Sequence, residues 1–165
     1  MNPIEILATV MLFASGDGWS KLSERVQVEL AVVVMQQIRR DQVAANVPPN
    51  SRFHEYLERD VRAFLVQRNQ EDVQLSVDLL RTPPTQVGIA FPKYYVWIEA
   101  SSPTQGDLSV AARVAAVGGR EFRIQEFIPR REINAQPDAL HRTFPAGLVP
   151  HIIEQAHGRI RNCLP

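Results

Sequence analysis

Apolar residues recur every three to four positions as far as residue 65, and from residue 73 onward they alternate with polar ones. The first rhythm places side chains on one face of a helix; the second places them on one face of a strand. Asn2-Pro3-Ile4-Glu5 has the makings of a helix start, with a capping residue, a proline in the first turn and a glutamate able to reach back. Gly16-Asp17-Gly18 ends that helix. Ser20 is the expected cap of a second helix, with Glu24 in its first turn and Leu22, Val26, Leu30, Val33, Val34 and Ile38 as its stripe. Val28, Val32 and Met35 extend the apolar surface around most of the circumference, which predicts a helix wrapped by protein at the centre of the core. Val47-Pro48-Pro49 forces a turn. A third helix follows from Ser51, with Phe53, Leu57, Val61, Phe64 and Leu65 inward and Arg52, Glu55, Arg59, Arg62 and Gln67 outward.

Val73, Leu75, Val77 and Leu79 then mark a half-buried strand, ended by Thr82-Pro83-Pro84-Thr85. A second β segment is predicted over Val87 to Ala100, interrupted at Pro92, which has no ladder donor. Within it Tyr94-Tyr95-Val96-Trp97-Ile98 is apolar on both alternating faces, so both faces require cover, either by helices of the same chain around a central strand or by a partner or ligand. Leu108, Val110, Ala112, Val114 and Ala116 form the third strand, and Gly118-Gly119 marks a hairpin. For these even-numbered residues to share a face with Phe122 and Ile124, the loop must hold an odd number of residues, three or five. Beyond Glu126 the apolar phase slips to Phe127-Ile128, which predicts a bulge or strand end there. Residues 133–142 read as a polar connector. A last helix begins at Thr143 and Pro145, restarts or kinks at Pro150, and carries Leu148, Ile152, Ala156 and Ile160 on one face.

The expected fold is α+β, one domain over residues 1–165, with three N-terminal helices, a four-stranded antiparallel meander and a C-terminal helix. In element order this is similar to the cystatin-like and nuclear-transport-factor-like cones. It also resembles the soluble assembly factors of type IV secretion, which normally carry a membrane anchor. The resemblance implies a scaffold that hosts both enzymes and assembly proteins, and it transfers no residue.

Composition adds little beyond this: 45% hydrophobic and 22% charged residues are ordinary for a globular chain. Eighteen basic residues balance eighteen acidic ones, so there is no net field to draw in nucleic acid, and weak self-repulsion permits self-association. The single Cys163 allows no intrachain disulfide, and a cytoplasmic location is expected. The apolar stretch from Ile4 to Ala14 lacks the basic lead of an export signal, and no apolar run reaches the ~20 residues of a membrane span.

Candidate chemistry is sparse. Glu154-x-x-His157, with His151 nearby, has the spacing of half a di-iron site, but a second copy and two further carboxylates are missing, so no metal or cofactor is expected. No serine lies in a nucleophile elbow, and the glycine pair lacks the lysine of a phosphate loop. Arg39-Arg40 and Arg130-Arg131 have acidic neighbours, and no nucleic-acid partner is expected. The expected function is a non-catalytic interaction or assembly module, self-associating or holding a protein partner. Its contact surface would be an open face of the sheet, centred on Tyr95, Trp97, Arg113 and Arg123, because aromatic residues and arginine are the usual interface anchors. The alternative is a small-molecule-binding protein or modest enzyme with a pocket between sheet and helices, where Glu99, Asp78 or His54 would act as acid or base.

Overall fold

The computed structural model describes residues 23–68, 73–87, 89–103 and 106–158. The expected helix at residues 3–15 and the end of the last apolar stripe lie outside them. Within them, two helices, α1 (Glu24–Asn46) and α2 (Asn50–Val66), precede strands β1 (Gln74–Leu79), β2 (Lys93–Ser102), β3 (Gly106–Val117) and β4 (Glu121–Pro129). A short helix α3 (Arg130–Ala135), a 3₁₀ turn (Pro137–Arg142) and helix α4 (Val149–Ala156) follow. The strands pair antiparallel in sequence order, giving the α+β meander that the alternation predicts.

Helix α2 buries Phe53, Leu57, Val61 and Leu65 at i, i+4, i+8 and i+12, the spacing of one helical face. They meet the face of the sheet made by Tyr94, Val96, Ile98 and Ala100 of β2 with Val110, Ala112, Val114 and Ala116 of β3. Complete burial of such side chains contributes roughly 1.5–3 kcal/mol each, so this stripe anchors the helix. Phe53 meets Tyr94 and Phe122 edge-on, with ring centroids 4.9 and 5.0 Å apart. Removal of the Tyr94 phenol from water pushes its pKa from 10.0 to about 12.

The β3–β4 loop has three residues, 118–120, with Gly118 at φ 59° and Gly119 at φ 68°, a left-handed conformation that glycine adopts without steric cost. From the turn to Val114↔Ile124 the paired residues have like parity; past Gln125 the pairing becomes Arg113↔Glu126 and Ala112↔Phe127. The slip predicted after Glu126 is therefore a bulge one residue before it. Its effect is to change which residues face α2, so that Phe127 joins that side and Ile128 the other.

Three sequence expectations are corrected. The β2 strand begins at Lys93 and not near residue 87, because the buried Pro92 offers no donor and Val87, Ile89 and Phe91 stay in an exposed loop. Residues 133–142 do not form a merely polar connector: they form α3's end and the 3₁₀ turn, and Ile133 and Leu140 are fully buried. With Phe144, Val149, Ile152 and Ala156 they cover Tyr95, Trp97, Ala111 and Ile128, so the sheet carries helices on both faces. Isolated apolar positions in a polar stretch give no periodic signal, which is why the pattern missed this cover.

Helix α1 is the third correction. It is not the centre of the core: Asn46, its last residue, is its only buried one. Two prolines, Pro48 and Pro49, end the helix there. The Asn46 side-chain amide donates to the Gln42 carbonyl (2.9 Å), its Oδ1 accepts from the Gly118 N–H (3.0 Å), and its own carbonyl accepts from the Gly119 N–H (3.0 Å). One residue thus ties the end of α1 to the β3–β4 turn. From the other side Asp60 accepts from the Phe122 N–H (2.7 Å), and Arg59 donates to the Arg120 carbonyl (2.6 Å).

Asn46→Ala leaves the Gly118 N–H without its acceptor, and the expected loss in urea unfolding is about 1–3 kcal/mol. Gln37→Ala, whose bond to Asp41 is solvent-exposed, should change stability by no more than about 0.5 kcal/mol. Equal effects of the two would contradict the clamp.

A raised phenol pKa also makes stability depend on pH. The folded state keeps the Tyr94 proton when the unfolded chain has lost it, so this contribution is intact below pH 10 and disappears as pH rises towards 12. Tyr94→Phe should remove the ultraviolet titration step near pH 12 and flatten the fall of stability across that window.

Candidate functional site

The residues expected at an interface share a face of the sheet, as the alternation implies, but that face is already occupied. Tyr95 and Trp97 are buried beneath the C-terminal helices, with 6% and 3% of their surface exposed. The Tyr95 hydroxyl shares a hydrogen bond with Thr85 (2.9 Å), and the Trp97 indole donates to Glu99 (3.2 Å). Arg113 donates to the Thr143 carbonyl (3.3 Å) and to Glu126 (3.2 Å), tying the segment before α4 to the sheet. Arg123, towards the hairpin end, is exposed and paired with Glu121 of its own strand (2.8 Å). That ion pair holds the Glu121 carboxyl below its usual range.

The candidate acid–base residues divide between the two sides of the sheet: Asp78, opposite Trp97, shares a face with Glu99, whereas His54 belongs to α2, which covers the other face. Asp78 and Glu99 are exposed on the sheet, and His54 is exposed on α2 with its ring edge-on to Phe53 (5.5 Å). Among the described residues no three of His, Cys, Asp and Glu are grouped so as to hold a metal ion. Nor is any described helix long and apolar enough to cross a membrane.

Two features remain whose exposure or assembly only the fold reveals. The first is the surface of α1, where Val28, Val32 and Met35 are 58%, 51% and 41% exposed and succeed one another at i, i+4 and i+7. Val26 and Val33 add a neighbouring strip. Periodicity identified these residues as apolar, but it could not reveal that the fold leaves them uncovered.

The second is a cleft of about 640 Å³ at the end of the sheet where α2 finishes, β3 begins and β4 passes into α3. Its apolar wall is Leu65, Leu108, Phe127 and Pro129, and its polar lining includes Arg68, Arg130, Arg131, Asp107, Ser109 and Asn134. The Arg68 guanidinium lies over the rings of Phe64 and Phe127, 4.5 and 5.0 Å from their centroids. Arg130 donates through Nε to the Ala156 carbonyl at the end of α4. Asp107 accepts from the Ser101 hydroxyl (2.6 Å). Among the described lining residues three guanidinium groups stand against one carboxylate, a formal charge of +2 in a chain whose total is zero. The residues come from three separate stretches of sequence, 65–68, 107–109 and 127–134, so no local motif announces the cleft. No protein-family model, curated protein or solved structure matches the chain.

Proposed function

We propose that the chain is a non-catalytic interaction module that pairs with a second copy of itself through α1. The observation that supports this is the exposed apolar surface of a 23-residue helix, of which the fold buries only the last residue. A helix apolar on most sides is ordinarily enclosed by protein, and water contact with Val28, Val32 and Met35 costs free energy that a partner surface would recover. The sheet face centred on Tyr95 and Trp97 is covered by the C-terminal helices, whereas α1 exposes Val26, Val28, Val32, Val33 and Met35 along one helix.

Charge placement favours a second copy in antiparallel orientation. Between Val26 and Ile38 the only ionisable residue is Glu29. Glu24, Arg25 and Glu29 sum to −1 near the start of α1, whereas Arg39, Arg40 and Asp41 sum to +1 near its end. Antiparallel pairing brings the negative end of each helix beside the positive end of the other and opposes the two helix dipoles. A chain with no net charge adds little repulsion to that encounter.

Sedimentation equilibrium tests the pairing. The wild type is expected at twice the 18.6 kDa chain mass. Substitution of Val28, Val32 and Met35 together by Gln, which keeps helix propensity, should weaken association by about a hundredfold or more, since each lost apolar contact removes roughly 1 kcal/mol. A wild type that remains a monomer at millimolar concentration would overturn the proposal, as would a triple variant that still dimerises normally.

A further inference from the structure

We infer that the cleft between α2, β3, β4 and α3 binds a small organic oxyanion carrying an apolar or aromatic body. This site is separate from the α1 surface and does not depend on pairing. Its volume of about 640 Å³ lies within the roughly 300–1,000 Å³ range of small-molecule sites. Such sites combine an apolar wall with a few placed polar groups, and here Leu65, Leu108 and Phe127 line the same cleft as Arg68, Arg130 and Arg131.

The arginines differ in what already occupies them. Arg130 is committed to the carbonyl of Ala156. Among the described residues neither Arg68 nor Arg131 makes an ion pair. Arg68 is nevertheless held in position by the two aromatic rings beneath it. A planar guanidinium ordered by stacking retains its outward N–H groups, and it loses less entropy on binding an oxyanion than a free side chain does. The apolar wall beside it would accept the body of the same ligand, with Ser109 and Asn134 as neutral polar groups near the mouth.

Carboxylate and phosphoryl groups both satisfy this chemistry, and the ligand series separates them. Phenyl phosphate, benzoate, inorganic phosphate and benzyl alcohol would each be titrated into the full chain, with the backbone amide signals of Leu108, Ser109 and Asn134 followed by NMR. Saturable shifts are expected with phenyl phosphate or benzoate; whichever binds more tightly identifies the head group. Inorganic phosphate, lacking the apolar body, and benzyl alcohol, lacking the charge, should each bind at least about tenfold more weakly. Arg68→Gln with Arg131→Gln should weaken the better ligand by about tenfold or more, the loss expected for removing charge-assisted hydrogen bonds, while the thermal unfolding midpoint shows that the variant is folded. The triple α1 variant should bind like the wild type, so failure of pairing and failure of this site are distinguishable. Absence of saturable shifts, equal binding of benzyl alcohol or inorganic phosphate, or unchanged binding by the folded double arginine variant would each overturn the inference.

Discussion

The fold depends on a sheet whose two central strands are apolar on both sides. From Tyr94 to Ile98 every residue of β2 is buried, and in β3 so are Val110, Ala111, Ala112, Val114, Ala115 and Ala116. A strand of this kind cannot remain stable with one face in water, because each exposed apolar side chain forfeits the transfer free energy that offsets chain entropy. The chain meets the constraint with two separate covers. Helix α2, close before the sheet in sequence, takes the side of Tyr94, Val96 and Ile98; the segment after β4 takes the side of Tyr95 and Trp97. The alanines of β3 leave room above and below the sheet for larger residues of the covering helices.

Details of the strands follow from serving both covers at once. The bulge at Gln125 allows β4 to place Phe122 and Phe127, five residues apart, on the same side, whereas an uninterrupted strand would send them to opposite sides. The three-residue glycine turn sets the register before the bulge. Asn46 and Asp60 grip that turn from two helices by accepting backbone N–H groups that would otherwise lack partners. Because the second cover uses the Tyr95–Trp97 face, the apolar residues that stay exposed include those of α1 and not those of the sheet's centre.

Much of this architecture is legible in the sequence, and the limits are physical. The stripe of Phe53, Leu57, Val61 and Leu65, the period-two strands and the odd-numbered hairpin loop are local patterns, and each appears in the structure. The requirement for two covers is also local, in Tyr94 to Ile98. Which segment supplies the second cover is not: Ile133 lies in a short helix, Leu140 in the 3₁₀ turn and Phe144 beyond it, so no single element carries them as a stripe. Helix α1 misled for the opposite reason, since its periodicity reports apolar character but not whether the fold covers it. The cleft was illegible because Arg68, Leu108, Phe127 and Arg131 meet only after the sheet has formed.

Fluorescence of Trp97 tests the double cover most directly. In a Trp19→Phe variant Trp97 is the only tryptophan, and its 3% exposure predicts blue-shifted emission that acrylamide quenches far less than it quenches the same variant unfolded in urea. Red-shifted emission with quenching equal in the folded and unfolded states would mean that the C-terminal helices do not close this face, and the account of the fold would fail with them.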